Sequence, residues 1–174
     1  MGQYVALLRG LNVGGKNLVR MADLREAVAE LGGEDVETYI ASGNAVFRAP
    51  RALDLGPGLS ERFGLEIKAL VLTAARMQKV VDSAPAGFGG EDRLCDVIFP
   101  IEPVTAAQVF ARLDPREGID EARTAAGVVY SSRLKARASG SRLSKIAGTP
   151  EYKQLTIRNW NTTRRLAAML ADRI

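Results

Sequence analysis

The order in which strand-like and helix-like apolar patterns follow one another restricts the fold of this chain more than any other feature. In the first half the patterns alternate as strand, helix, strand, strand, helix, strand. The predicted elements are a strand at residues 4–9, a helix from Met21 that ends at Gly32-Gly33, strands at 36–41 and 45–48, a helix through Leu55, Leu59 and Phe63, and a strand at 66–72. Gly56-Pro57-Gly58 is expected to delay the start of the second helix. This β-α-β-β-α-β order is the split unit of ferredoxin-like folds.

The second half repeats this order. After a connecting helix at 74–83 and a glycine-rich, charged boundary at 85–92, the patterns predict a strand at 94–99, a helix at 105–113, strands at 119–124 and 128–134, a helix near 141–147, a strand at 154–157 and a last helix at 162–172. We therefore predict an α+β protein of two ferredoxin-like subdomains, residues 1–84 and 85–174, with a C-terminal helix in the second. The two are expected to form one compact unit, because 174 residues with 47% hydrophobic content can bury a good core.

The positive charge of the chain is concentrated near its C-terminus. The formal net charge is +4, but residues 131–174 carry ten Lys or Arg against two acidic residues, so the remaining residues are net negative. A cationic field of this kind attracts phosphates and carboxylates. We therefore expect an anionic partner, either a nucleic acid or a nucleotide.

The chain contains one cysteine and no histidine. This composition excludes a disulfide framework, a Cys/His zinc site and histidine-based acid/base catalysis, and we predict neither a metal nor a cofactor. Cys95 lies in an apolar run and is predicted to be a core residue, with a reactive thiol as the alternative. No signal peptide is evident and no apolar run approaches the length of a membrane span, so the prediction is a soluble cytoplasmic protein with no membrane partner.

A glycine-rich loop directly follows the first predicted strand. Its candidate ligand-binding residues are Arg9, Asn12, Gly14, Gly15, Lys16 and Asn17. The spacing from Gly10 to Gly15-Lys16 matches a phosphate-binding P-loop, but Asn17 replaces the hydroxyl residue that holds magnesium, and no Walker B strand is evident, which argues against a nucleotide triphosphatase. Exposed backbone amides in such a loop can still bind anions. The alternative is that the glycines only turn the chain while the asparagines hydrogen-bond their own backbone.

The predicted topology places a second segment beside this loop. The loop after the first strand and the turn between the second and third strands lie at the same edge of a ferredoxin-like sheet. We therefore expect Ser42, Gly43 and Asn44 to lie near the glycine-rich loop and to contribute to ligand binding.

The third candidate segment precedes the last predicted helix. It contains Arg158, Asn159, Trp160, Asn161 and Thr162. Asn and Thr at this position are expected helix caps, which accounts for one of the two asparagines. Arginines beside a helix N-terminus oppose the helix dipole, so their presence suits an anion bound there, although a solvated face is the alternative.

Three blocks of sequence resemble the signature blocks of the bacterial domain-of-unknown-function 1697 family. They are LRGLNVGGKN at residues 8–17, YIASGNAVF at 39–47 and TIRNWNT at 156–162. The resemblance covers nearly the whole chain and implies a soluble α+β domain whose biochemical function is unassigned. Leu11 and Ala45 stand where the family pattern suggests Ile and Val.

Three classes of function are compatible with these patterns. The leading hypothesis is a module that binds a phosphate-bearing ligand, with Arg9, Lys16 and Arg158 neutralising charge, the asparagines donating hydrogen bonds and Trp160 stacking. The first alternative is an enzyme acting on a small phosphorylated or carboxylated metabolite, in which Lys16, Tyr39 or Asp23 would transfer protons. The second alternative is a structural or protein-interaction domain. The sequence leaves open the oligomeric state and whether residues 158–162 share a cleft with the glycine-rich loop.

Overall fold

The computed structural model describes residues 1–16 and 18–173. They divide into two compact units: unit 1 contains residues 1–78 and the stretch that begins at Leu166, and unit 2 contains residues 79–165. Each unit contains one four-stranded antiparallel sheet together with helices, so the α+β class is confirmed. The predicted subdomain division at residues 84 and 85 remains a prediction.

Unit 1 contains the strands β1 (Gly2–Arg9), β2 (Glu34–Thr38), β3 (Asn44–Ala49) and β4 (Lys68–Thr73), in the spatial order β2-β3-β1-β4. Strand β1 pairs with both β3 and β4, because its residues are apolar on both faces and need a central position. The helices are α1 (Met21–Glu30), α2 (Leu55–Phe63) and the beginning of α3 (Ala74–Asp82). One face of the sheet contributes Tyr4, Ala6, Leu8, Ala45 and Phe47 to a core that also contains Leu24, Val28, Leu55 and Leu59.

Two sequence-based boundaries in unit 1 are wrong. Strand β2 ends at Thr38, not at residue 41, and the chain turns from there to Gly43. Helix α2 begins at Leu55, so Gly56-Pro57-Gly58 lies inside its first turns. A proline in the first turn costs little because the backbone N–H groups there have no helical partner. A Cβ on Gly58 would lie 2.5 Å from the end of the Leu31 side chain, so the helix packs closely against Leu31 at this point.

Unit 2 repeats the strand order of unit 1. Its strands are β5 (Arg93–Pro100), β6 (Asp120–Ala125), β7 (Val128–Leu134) and β8 (Leu155–Asn159), in the order β6-β7-β5-β8. Helix α4 (Ala106–Arg112) packs against this sheet and begins with a capping box, in which the Gln108 N–H donates to the Thr105 hydroxyl and the Thr105 N–H donates to the Gln108 side chain. Ile98, Val109, Val129, Ile146 and Leu155 form the core.

The α-helix predicted near residues 141–147 is replaced by three short 3₁₀ helices. They span Lys135–Gly140, Leu143–Gly148 and Pro150–Gln154. Gly140, Gly148 and Pro150 interrupt the stretch, and the buried carboxylate of Asp120 accepts the backbone N–H of Arg142 at 2.9 Å. These features hold the backbone in short turns where the apolar spacing alone suggested a continuous helix.

Helix α5 (Trp160–Ala171) begins two residues earlier than predicted. Its first residues belong to unit 2, and the residues from Leu166 belong to unit 1. There Arg173 donates to the Asp35 carbonyl at 2.6 Å and forms an ion pair with Glu37 at 3.2 Å, which fixes the end of the chain against β2. Within the described part of the chain, none of the helices is long and apolar enough to cross a membrane.

Candidate functional site

The tip of the glycine-rich loop is a tight turn. The Lys16 N–H donates to the Val13 carbonyl at 3.0 Å, and the two residues between them, Gly14 and Gly15, have φ values of 59° and 73°. Two successive residues in the left-handed region are characteristic of a two-residue hairpin turn and favour glycine at both positions. The turn therefore accounts for both glycines without a ligand. Its residues, including Lys16, are exposed.

The Asn12 side chain stabilises this loop through hydrogen bonds with backbone groups. Its side-chain Oδ1 accepts the Val19 N–H at 2.7 Å, and its Nδ2 donates to the carbonyls of Val19 at 3.0 Å and Ala41 at 2.7 Å. The carboxamide oxygen and nitrogen are thus both bonded to backbone groups. Asn17 lies outside the described residues.

The 42–44 segment lies beside the loop, as the strand order requires. Asn44 is fully buried, and its Nδ2 donates to the Tyr39 carbonyl at 2.9 Å and to the Ser42 hydroxyl at 3.0 Å. Gly43 has a φ of 88°, and a Cβ on it would lie 3.0 Å from the Cβ of Leu8. Packing and turn geometry therefore explain the residues of this segment. Arg9, at the end of β1, is half-buried.

Arg158 lies within the folded body of unit 2. It is 6% exposed, and its Nη1 donates to the Thr156 hydroxyl at 2.7 Å and to the Ile157 carbonyl at 2.9 Å. Burial lowers the pKa of its guanidinium to about 10. Both hydrogen bonds go to residues of β8, the strand that contains Arg158, and therefore stabilise that strand.

Asn159 is the cap of helix α5. Its Oδ1 accepts the Thr162 N–H at 2.8 Å, and its carbonyl accepts the Thr163 hydroxyl at 3.0 Å. Trp160 is 8% exposed; its ring lies against Gly89 and meets the Phe88 ring edge-on at a centroid distance of 5.1 Å. A ring packed in this way does not offer a face for a ligand to stack on. Asn161 is exposed and has no such structural role among the described contacts.

The end of this block borders an open cleft in unit 2, which we call the cationic cleft. It has a volume of about 410 Å³ and is lined by residues 89–91, 93–96, 133, 135 and 159–161. Three cationic side chains, Arg93, Arg133 and Lys135, outnumber the carboxylates of Glu91 and Asp96 in its walls. Asn159, Trp160 and Asn161 are the sequence-predicted residues that line it.

Two cations of the cationic cleft, Arg93 and Lys135, form hydrogen bonds with neighbouring groups. Arg93 donates from Nε to the Ser132 hydroxyl at 2.9 Å and from Nη2 to the Ile119 carbonyl at 3.0 Å. The Lys135 ammonium donates to the carbonyl of Glu91. Such contacts restrict the rotation of both side chains.

Asp96 and Arg133 form an ion pair inside the cleft. The Arg133 Nη1 lies 3.7 Å from the Asp96 Oδ2, and the two side chains are 32% and 28% exposed, respectively. Burial raises the pKa of the Asp96 carboxyl above its ordinary value, although the charge of Arg133 works in the opposite direction. Asp96 thus differs from Asp23, whose pKa is lowered by hydrogen bonds from Arg20.

Cys95 also borders the cationic cleft. It is 8% exposed, so the predicted burial is confirmed, and its Sγ accepts the Gly89 N–H at 3.2 Å. Among residues 1–16 and 18–173, no group of three or more Cys, Asp or Glu side chains is arranged to hold a metal ion.

Sequence reasoning missed Arg93, Asp96, Arg133 and Lys135 as site residues. Strand alternation contained part of the signal, because Asp96 and Arg133 fall at polar positions of two strands that pair antiparallel. The pairing register was needed to place them side by side, and a single sequence does not provide it.

The two sheets and the cleft define an α+β protein with an open cleft lined by cationic side chains. The chain belongs to the DUF1697 family, a family of proteins of unknown function whose profile matches residues 1–130. It is also similar to the solved structure of the conserved bacterial protein SP0830 from Streptococcus pneumoniae, with 28% sequence identity and a TM-score of 0.83 over 98% of this chain and 99% of that one. No curated protein matches the chain.

Proposed function

We propose that this protein binds a small phosphate-bearing molecule of nucleotide size in the cationic cleft of unit 2. The observation that carries the proposal is the presence of Arg93, Arg133 and Lys135 in the walls of one open cleft. Guanidinium and ammonium groups form charge-assisted hydrogen bonds with phosphate oxygens, which are stronger than neutral ones. The ligand is therefore expected to present its phosphate to these three side chains.

Helix α5 adds a second favourable contribution. Its N-terminus borders the cleft at Asn159, Trp160 and Asn161, and its first turn contains no acidic residue. The positive end of a helix dipole and its unpaired N–H groups favour an anion at that position. The Thr162 N–H already donates to Asn159, so a ligand would be bound by the N–H groups of the first two helical residues, Trp160 and Asn161.

The size of the cleft favours a small molecule over a nucleic acid. A polymer is bound by a stripe of cations along the surface, whereas a few hundred cubic ångströms with three cations suits one compact anion. The packed ring of Trp160 also argues against stacking of a nucleic-acid base.

The glycine-rich loop has weaker support as the binding site. Its glycines are explained by the turn, and the Asn12 carboxamide is used by Val19 and Ala41. The enzyme alternative is weaker for a similar reason, because the Asp23 carboxylate is bound by Arg20. Lys16 is exposed and is therefore the residue of this loop to test.

We also propose that the fold is a duplicated ferredoxin-like arrangement. The matching strand orders β2-β3-β1-β4 and β6-β7-β5-β8 support this proposal, since both are the order of the split β-α-β-β-α-β unit. In unit 2, the 3₁₀ helices take the place of the second helix of that unit.

The test is isothermal titration calorimetry with AMP, ADP and inorganic phosphate at two salt concentrations. We expect Lys135→Ala to weaken binding about fivefold or more, because a charge-assisted hydrogen bond to phosphate is lost. Arg137→Ala is the matched control, since Arg137 is an exposed cation two residues away that does not line the cleft. Lys16→Ala tests the glycine-rich loop and is expected to bind like the wild type.

Two results would overturn the proposal. If none of the three probes binds at millimolar concentration, the cleft is not a phosphate site. If Lys16→Ala abolishes binding while Lys135→Ala does not, the glycine-rich loop is the site instead.

A further inference from the structure

Asp96 and Arg133 are placed so that an anionic ligand must compete with the Asp96 carboxylate for the Arg133 guanidinium. Asp96 on β5 faces Ser131 on β7 in the pairing register, and Arg133 is two residues further along β7, so both side chains project from the same face of the sheet. Asn159 on β8 lies directly across from Asp96 on its other side. Both members of the ion pair line the cationic cleft.

The geometry of this pair is loose. An Nη1 to Oδ2 distance of 3.7 Å is longer than a hydrogen bond, so the attraction is mainly between charges. A phosphate oxygen that comes within hydrogen-bond distance of Arg133 would face the Asp96 carboxylate. At such a short distance the two negative charges repel each other. Protonation of Asp96 removes this repulsion and makes the carboxyl group a hydrogen-bond donor.

We infer that anion binding in the cationic cleft is accompanied by the uptake of up to one proton, which is taken from solvent onto the Asp96 carboxylate and leaves Arg133 to the ligand. This inference rests on the proposed function. Under this inference the protonation of Asp96 regulates the affinity of the cationic cleft for its anion.

The surroundings of Asp96 support this coupling. Burial raises the pKa of its carboxyl group above the ordinary 3.8, so the proton is taken up at a higher pH than by an exposed aspartate. The other charged or titratable groups in the cleft walls are Glu91, Arg93, Cys95 and Lys135, while β8 and α5 contribute the neutral Asn159, Trp160 and Asn161. The affinity for an anion is therefore expected to be highest at low pH and to fall as the pH rises through the pKa of Asp96.

The test uses sulfate, because sulfate stays doubly charged across the pH range whereas phosphate itself titrates. We expect the affinity of the wild type for sulfate to fall roughly twofold to fivefold as the pH rises from about 4 to about 7.5, the size of effect typical of a partly exposed ion pair. Asp96→Asn should bind sulfate at least as tightly as the wild type does at the lower pH, with little dependence on pH. Asp114→Asn is the matched control, because Asp114 pairs with Arg142 at 3.1 Å outside the cleft, and it should keep the wild-type dependence.

A second measurement does not depend on any variant. Calorimetry of the wild type in two buffers with different heats of ionisation gives the number of protons taken up per sulfate, which we expect to be a positive fraction of one near the pKa of Asp96.

The outcomes separate this inference from the proposed function. Sulfate binding that is independent of pH, zero proton uptake, or a pH dependence that persists in Asp96→Asn would each overturn the coupling while leaving the phosphate site intact. If Glu91→Gln loses the pH dependence while Asp96→Asn keeps it, the proton is taken up by Glu91, and the inference about Asp96 is overturned. Absence of sulfate and phosphate binding at every pH would refute both.

Discussion

The carboxamide of Asn12 and the backbone of Val19 are joined by two hydrogen bonds that imitate the pairing of two strands. Val19 N–H donates to the side-chain oxygen at 2.7 Å, and the side-chain nitrogen donates back to the Val19 carbonyl at 3.0 Å. Asn12 itself has a φ of 52°, a left-handed conformation that asparagine tolerates better than most residues. Backbone geometry and side-chain chemistry thus select the same residue at this position.

Removal of this side chain should destabilise unit 1. Asn12→Ala loses three hydrogen bonds and leaves the Val19 N–H without its partner, so we expect a loss of about 2 kcal/mol in the free energy of unfolding. Urea denaturation followed by circular dichroism measures this quantity. Asn161→Ala, at an exposed position, is the control and should change the stability by less than about 0.5 kcal/mol. Equal effects of the two substitutions would contradict the structural role of Asn12.

Gly10 and Gly14 differ in what surrounds them, although both have positive φ values, of 98° and 59°. A Cβ on Gly10 would overlap the carbonyl oxygen of Glu66, whereas a Cβ on Gly14 would meet nothing within 4 Å. We expect Gly14→Ala to cost about 1 kcal/mol, from backbone conformation alone. Gly10→Ala should cost about 3 kcal/mol or more, since the overlap adds to the backbone term. Thermal melts of the two variants test the difference, and a Gly10→Ala protein as stable as Gly14→Ala would show that the backbone at Glu66, just before β4, adjusts freely.

Gly89 sets the position of Trp160. A Cβ on Gly89 would overlap the Cδ1 atom of the indole, so Gly89→Ala must displace the ring. Trp160 is the one tryptophan of the chain, and its fluorescence should shift to longer wavelength as the ring becomes more exposed. Gly87→Ala is the matched control, because Gly87 also has a positive φ of 76° but has open space around it. An unchanged emission spectrum for Gly89→Ala would argue against this packing.

The Asp120 carboxylate is hydrogen-bonded to two loops of unit 2, at Arg116 and at Arg142. Its Oδ2 accepts the backbone N–H groups of Arg116 and Arg142, each at 2.9 Å. Burial alone would raise the pKa of its carboxyl group, but these hydrogen bonds, the Ser141 hydroxyl and the charge of Arg133 outweigh burial and lower it. Asp120→Ala should therefore cost about 3 kcal/mol, because two N–H groups lose their acceptor.

The contribution of Asp120 also depends on pH. Because its folded-state pKa is lowered, the ionised carboxylate contributes stability above the ordinary value of 3.8, and this contribution is lost as the pH falls through the lowered pKa. The stability difference between wild type and Asp120→Asn should thus increase with pH across this acidic range and then become constant. Guanidinium unfolding at several pH values measures it. Asp114→Asn is the control, and a difference for Asp120→Asn that does not vary with pH would refute this account.

Much of the fold could be predicted because the strands have regular apolar patterns. The buried residues of β1 and β5 are apolar, and those of β3 and β7 are apolar except for Asn44, Ser131 and Ser132. Thr105 precedes α4 with the capping partner Gln108 three residues later. Some of the missed features depend on contacts that are distant in sequence. The turns after Gly140 involve the hydrogen bond from the Arg142 N–H to Asp120, 22 residues earlier in the chain. The start of α2 at Leu55 was missed because a first helical turn tolerates a proline.

The candidate site was harder to predict than the fold. The glycine-rich loop is conspicuous in sequence because turns with positive φ require glycine, and that requirement is structural. The cationic cleft is formed by Asp96 and Arg133 on two ordinary strands, together with Lys135 just beyond one of them. A charge on a strand is usually a solvated residue, and the sequence does not show which charges meet.

Helix α5 affects the order in which the chain can assemble on the ribosome. Its residues from Leu166 onward, together with Arg173, complete unit 1, yet they are synthesised after every residue of unit 2. Domains usually fold as they emerge, with the N-terminal one first. Here the unit that contains the first strand is the last to receive all of its parts, and a nascent chain halted before residue 166 would carry unit 2 in full and unit 1 without its final segment.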